Sequence, residues 1–191
     1  MGTVVGVYDA ALPASGRDLV AAGYALYGPI TTLVVADDAG VSEEVVDRGN
    51  GDDGVSRSVV VDDLTLPDEP TVYGFGGRVP DWPAAFREYA REVEDELKLR
   101  YGGSMVGDVN QVVTYGGVFA YPALVDAPEG KLRLSFEANP IAYIIEAMGG
   151  ASSDGSGSIL DVEPEGLHDR VPLYIGNGRL IDRLEAALDD G

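Results

Sequence analysis

The chain has 191 residues, 45% of them hydrophobic, and a mean hydropathy of +0.01. That is enough apolar material for one ordinary domain or two small lobes, and it excludes a collagenous or wholly disordered chain. With 13 basic and 33 acidic residues the net charge is −20 and the pI near 4.1, which argues against nucleic-acid binding by phosphate neutralisation.

Cysteine is absent and His168 is the single histidine, so disulfides, thiol catalysis, a zinc cluster and a Ser-His triad of the usual kind are excluded. No apolar run approaches the roughly 20 residues of a membrane helix, and the start has no basic flank of a signal peptide, so a cytoplasmic protein without membrane contact is expected. Only Lys98 and Lys131 are lysines, and the acidic pairs Asp37-Asp38, Asp52-Asp53, Asp62-Asp63 and Asp189-Asp190 fall in turns or ends. This pattern reads as adaptation to high salt, where screening removes the self-repulsion of a strongly anionic surface.

In chain order, strands are predicted over residues 3–8, 31–36, 58–61 and 71–75, with a short Ala- and Leu-rich helix over 17–27 between the first two. The stretch Asp47 to Gly54 (DRGNGDDG) reads as a solvated turn or loop. A helix begins at Pro83, with Phe86, Ala90, Val93 and Leu97 at helical spacing. A second follows Ser104, with Met105, Val109, Val112 and Val113 on one face. Residues 118–124 look like a strand that Pro122 places at an edge or a strand end. Asn139-Pro140 reads as a capped helix start ahead of the buried stripe Ile141, Ile144, Ile145 and Met148. A low-complexity loop (SSDGSGS, 152–158), strands over 159–162 and 171–175, and a last helix after Asn177 complete a layered α/β pattern.

Two stretches could carry chemistry. Lys131, Arg133 and Glu137 fall within seven residues, and in an extended segment their side chains share one side. Two scarce cations beside a carboxylate suggest an anion site with a metal ligand attached; the plainer alternative is a surface ion pair. Arg100-Tyr101-Gly102-Gly103-Ser104-Met105 places two glycines before a helix, where free backbone N–H groups could meet an oxyanion or a hydroxylated ligand. A plain tight turn is the alternative there.

The stretches GRDLVAAGYALYG (16–28), RYGGSMVGDVNQVVTYGGVFAYPA (100–123), GKLRLSFEANPIAYIIEAMGG (130–150) and ILDVEPEGLHDRVPLYIG (159–176) resemble class I fructose-1,6-bisphosphatase. They are collinear with that family, and the related inositol monophosphatases lack them. Asn110-Gln111 is reminiscent of sedoheptulose-1,7-bisphosphatase, but Tyr115-Gly116-Gly117 and Ala120-Tyr121-Pro122 favour the fructose enzymes.

The resemblance implies a layered α/β sandwich of the sugar-phosphatase type and magnesium-dependent hydrolysis of the 1-phosphate of fructose 1,6-bisphosphate, giving fructose 6-phosphate. Hard divalent cations suit so slow a reaction because they activate water and stabilise the leaving oxygen. By position, Glu137 resembles the family's metal-ligand glutamate, and Lys131 and Arg133 the cations that grip substrate. Tyr101 and Tyr121 match tyrosines near the 6-phosphate, Gly103, Ser104 and Met105 match the segment touching the sugar, and Arg100 matches an arginine that reaches a neighbouring subunit's 6-phosphate. A homotetramer, or at least a dimer, follows by the same analogy. His168 matches a family histidine outside the active site.

Three departures accompany the likeness. The family's phosphate-contacting asparagine should fall near Gly76, Asp9 stands where AMP-inhibited members carry arginine, and the family's Asp-Pro-Leu-Asp-Gly-Ser-Ser metal motif would lie before Met1. The expectation is therefore the remainder of an amino-terminal phosphatase domain over residues 1–75, lacking its first part, and a sugar-phosphate-binding domain over 76–191. A chain holding only Glu137 of the metal set is expected to be inactive alone. The alternative is a non-catalytic sugar-phosphate-binding or partner subunit.

Overall fold

The computed structural model describes residues 1–47 and 54–189. Strand β1 (Gly2–Tyr8) alternates half-buried and exposed positions, the period of a strand with one face on a core. A single 3-10 turn over Gly16–Asp18 leads into β2 (Leu19–Leu26), which pairs antiparallel with β1 on one side and β3 (Thr31–Asp37) on the other. The helix expected over 17–27 is thus a strand. Helix propensities differ by only tenths of a kcal/mol per residue, and two flanking ladders outweigh them. Ala22 and Tyr24 are buried on the inner face, while Ala21, Gly23 and Ala25 line the outer one.

At the next turn the Ala39 N–H donates to Asp37 Oδ1 at 2.9 Å, which brings the chain back as β4 (Gly40–Asp47). Glu43 and Glu44 interrupt the apolar run there, which hid this strand from the sequence reading. Strand β5 (Ser56–Asp62) completes a five-stranded meander in the order β1-β2-β3-β4-β5. The loop expected between Asp47 and Gly54 covers residues 48–53, which lie outside the described residues.

The rest of the chain runs β6 (Val72–Phe75), α1 (Ala84–Glu96), β7 (Lys98–Leu99), α2 (Met105–Tyr115), β8 (Gly117–Tyr121), β9 (Leu132–Arg133), α3 (Asn139–Ala147), β10 (Ala151–Ser153), β11 (Arg170–Val171), β12 (Leu173–Gly176) and α4 (Gly178–Asp189). A second five-stranded sheet has the order β10-β12-β8-β6-β7, parallel across β8, β6 and β7 and antiparallel elsewhere. Pro122 stops β8 at Tyr121, although the strand is interior to the sheet and not at its edge. Residues 152 and 153 belong to β10 and are buried, so the expected loop begins after them. Residues 159–161 form a 3-10 turn where a strand was expected: Val162 N–H bonds back to Ile159 O, and no neighbouring strand pairs with them.

Two cores produce the layering. One joins the meander, α2, α3 and one face of the second sheet, through Tyr24, Val109, Ile141, Ile144, Ile145 and Phe119. The other packs α1 and α4 on the opposite face of that sheet, through Phe75, Phe86, Tyr89, Val118, Tyr174 and Leu184. The result is a β/α/β/α sandwich, the fold class anticipated from the sequence. Asn110 serves this packing, since its side-chain oxygen accepts the Tyr24 hydroxyl at 2.9 Å and ties α2 to β2. The far face of the meander carries no helix among the described residues. Thr3, Val5, Val7, Ala21, Gly23, Ala25 and Tyr27 line an apolar trough of about 370 Å³ there, with Val5 54% exposed.

Candidate functional site

The segment KLRLSFE is not extended throughout. Only Leu132 and Arg133 form a strand, and Leu134–Ala138 then winds as a wide π-helical turn into α3. The Asn139 N–H bonds to Leu134 O, closing the wide turn immediately before Pro140, which has no N–H to donate. Asn139 is consequently inside the helical run and fully buried, so it does not cap α3 as the sequence suggested. The turn also places Glu137 one wide turn beyond Arg133. Its Oε2 accepts both the Arg133 backbone N–H at 2.9 Å and Nε at 3.2 Å. The Arg133 guanidinium lies 5.2 Å from the centre of the Phe136 ring.

The Arg100–Met105 segment also differs from expectation. Its backbone N–H groups are not all free, because Gly102 donates to Asp108 Oδ1 at 2.5 Å and Ser104 to Asp108 Oδ2 at 3.0 Å. The chain's own carboxylate occupies the place an external oxyanion was expected to take. Arg100 is exposed, with Nη1 donating to Leu99 O at 2.9 Å.

A cleft of about 340 Å³ gathers several of these residues. Ser104 and Met105 from the start of α2 form one wall, Arg133, Phe136 and Glu137 the other, and Gly2 of β1 lies at the end. Burial, the neighbouring Tyr101 phenol, and the negative charges of Asp108 and Glu137 push the Tyr121 phenol well above the ordinary tyrosine range. Gly76 is what admits the Tyr121 ring: a Cβ at that position would stand 2.5 Å from two of its carbons. With the Tyr121 ring in this position, any side chain at Gly76 would require it to move.

Lys131 is exposed, and its ammonium has no partner among the described residues. Its backbone carbonyl accepts Nη1 of Arg170, and Arg170 stands directly opposite Arg133 in the β9–β11 ladder. The ladder thus gathers Lys131, Arg133 and Arg170 into a cationic edge on a strongly anionic molecule, with Arg133 paired to Glu137 and Arg170 beside Glu129, Glu163, Glu165 and Asp169. The sequence reading missed Arg170, 37 residues beyond Arg133, because only strand pairing unites them. It also missed Asp108, although an aspartate in the first turn after a Gly-Gly-Ser is a recognisable acceptor for loop amides. His168 stacks 6.2 Å from Phe136, beside the cationic edge.

Among the described residues, no three carboxylate or histidine side chains converge in a way that could hold a metal ion. Glu137 is the one carboxylate lining the cleft, and Arg133 already engages it. These residues alone do not fit a magnesium site, since magnesium takes near-octahedral oxygen coordination and dehydrates reluctantly.

The structure is thus a layered α/β domain with a cationic edge beside a polar cleft. The family described as "Fructose-1-6-bisphosphatase, C-terminal domain" matches residues 66–189. The chain belongs to that family. It is 65% identical over 188 residues to a fructose-1,6-bisphosphatase class 1 of Natronomonas pharaonis, covering 98% of this chain and 65% of the relative. A protein of the same name from Halobacterium salinarum is 57% identical over 189 residues, covering 99% and 64%. One from Methanocorpusculum labreanum is 40% identical over 187 residues, covering 97% and 57%. The chain thus spans less than two thirds of the length of these relatives. No helix among the described residues is long and apolar enough to cross a membrane.

Proposed function

We propose that this chain is the sugar-phosphate-binding part of a fructose-1,6-bisphosphatase, and that with the remaining third of its relatives' length it hydrolyses the 1-phosphate of fructose 1,6-bisphosphate. The observation that carries the reading is the convergence of Ser104, Met105, Arg133 and Glu137 on one cleft, next to the exposed Lys131. In this reading Lys131 and Arg133 hold phosphate oxygens by charge-assisted hydrogen bonds. The Tyr101 and Tyr121 hydroxyls donate to the 6-phosphate, and Gly103, Ser104 and Met105 form the wall against the sugar. Arg100, exposed at the surface, would reach a neighbouring copy in a homodimer or homotetramer.

Residues 1–75 belong, in the same reading, to the amino-terminal phosphatase domain and residues 76–191 to the sugar-phosphate-binding one. Magnesium would supply water activation and charge neutralisation once further carboxylates are present; Glu137 alone does not hold it. The haloarchaeal relatives and the charge of −20 support a salt-rich cytoplasm as the working environment.

Because Glu137 is bound to Arg133, the isolated chain is better suited to binding a sugar phosphate than to hydrolysing it. The test is phosphate release from fructose 1,6-bisphosphate in molar potassium chloride with magnesium. The 191-residue chain should show none, whereas a fusion carrying the missing amino-terminal part of the Natronomonas relative should turn over. Substantial turnover by the chain alone would overturn the reading. Faster turnover of sedoheptulose 1,7-bisphosphate by the fusion would reassign the substrate.

A further inference from the structure

Among the described residues Asp108 is the one charged side chain that is buried, at 4% exposure, and no cation pairs with it. A carboxylate without a counter-ion is costly to bury unless hydrogen bonds replace the lost water. Both of its oxygens are used, one by the Gly102 N–H and one by the Ser104 N–H. The site lies in the first turn of α2, where the helix dipole favours negative charge, and the Asp108 N–H closes the turn on Ser104 O at 2.8 Å. Between the two clamped amides Gly103 takes a positive φ of 71° with nothing within 4 Å of a Cβ, so the loop crest is bare toward solvent. The clamp therefore holds both sides of Gly103 while leaving its own N–H free of Asp108.

We propose that Asp108 is a positioning residue for sugar recognition: its carboxylate fixes Gly102 and Ser104, and through them Tyr101, Gly103 and Met105, in the shape that receives the sugar of a sugar phosphate. The inference rests on the functional reading above. Chemistry selects a carboxylate for this position. Both partners are donors, and asparagine would turn an N–H₂ group toward one of them. The charge of Asp108 also reaches the Tyr121 phenol, which places the clamp beside the tyrosine pair.

Two measurements test this, both on the whole chain in molar potassium chloride. The first is amide hydrogen exchange on the unsubstituted protein: Gly102 and Ser104 should exchange slowly and Gly103 fast, and equal fast exchange at all three overturns the clamp. The second compares the dissociation constants of fructose 6-phosphate and inorganic phosphate in Asp108→Asn. Fructose 6-phosphate should bind about tenfold more weakly, with inorganic phosphate within twofold of the parent, because the cationic edge is untouched. Unchanged fructose 6-phosphate binding, or a parallel loss of both ligands by a protein that remains folded, overturns the positioning role. If Asp108→Asn does not fold, Gly103→Ala, which strains the same crest without removing the carboxylate, should show the same selective loss. No fructose 6-phosphate binding by the unsubstituted chain, with phosphate still bound, would overturn the functional reading, and the exchange pattern would still report on the clamp.

Discussion

Glu137 and Arg133 are joined twice through one oxygen, by the Arg133 backbone N–H at 2.9 Å and its Nε at 3.2 Å. The carboxylate thus both shapes the turn into α3 and neutralises a cation at the mouth of the cleft. Removing its charge while keeping its shape should free Arg133 for anions. Glu137→Gln in the 191-residue chain is expected to bind inorganic phosphate about threefold more tightly, a modest gain because the pair is partly solvated. Calorimetry giving weaker binding would mean that the carboxylate orients Arg133 more than it competes for it.

Lys131 should matter in the opposite sense. A charge-assisted phosphate contact is typically worth about 1.5–3 kcal/mol, so Lys131→Ala is expected to weaken fructose 6-phosphate binding by roughly tenfold or more. Equal affinities in the two proteins would remove Lys131 from the site.

The acidic surface makes a thermal expectation. With a net charge of −20, the folded chain should melt at a higher temperature as potassium chloride rises from dilute to molar. A melting temperature that is flat or falls over that range would contradict salt adaptation.

The tyrosines set an alkaline limit. Burial pushes Tyr174 up to about 12 from 10 and raises Tyr24 and Tyr89 further, so all three favour the protonated form more when folded than when unfolded. A raised folded value gives stability that is complete below pH 10 and withdrawn as pH climbs through 12. Tyr174 alone accounts for about 3 kcal/mol of that loss. Absorbance at the phenolate band should show these rings ionising late and together with unfolding. Early, independent ionisation would show that they are solvated. On the acid side Arg17 holds Asp161 below the usual aspartate range, and that small contribution disappears as pH falls through the lowered value.

The legible parts of the fold were those in which local pattern and tertiary role coincide. The stripe Ile141, Ile144, Ile145 and Met148 is buried as its spacing implied. Residues 19–26 were misread because Ala and Leu favour a helix in isolation, whereas β1 and β3 supply hydrogen bonds that no local pattern reveals. At the candidate site, Arg133 and Glu137 were found by proximity in sequence, but the geometry joining them was not, because a π-helical turn has no simple sequence signature. Arg170 was invisible for the same reason as β2: its role depends on the strand opposite.

The apolar trough on the outer face of the meander gives the molecule an upper as well as a lower bound in salt. Chloride mainly screens charge, whereas strongly kosmotropic salts also drive apolar surface out of water. In concentrated potassium phosphate the row around Val5, Val7 and Tyr27 becomes the surface with most to gain from contact, and its neighbours' charges no longer hold other molecules away. Light scattering should rise with protein concentration in phosphate and not in chloride of equal ionic strength, and Val5→Glu should suppress the rise. The range of solutions in which the protein stays dispersed is then set at one end by its carboxylates and at the other by a strip of valines.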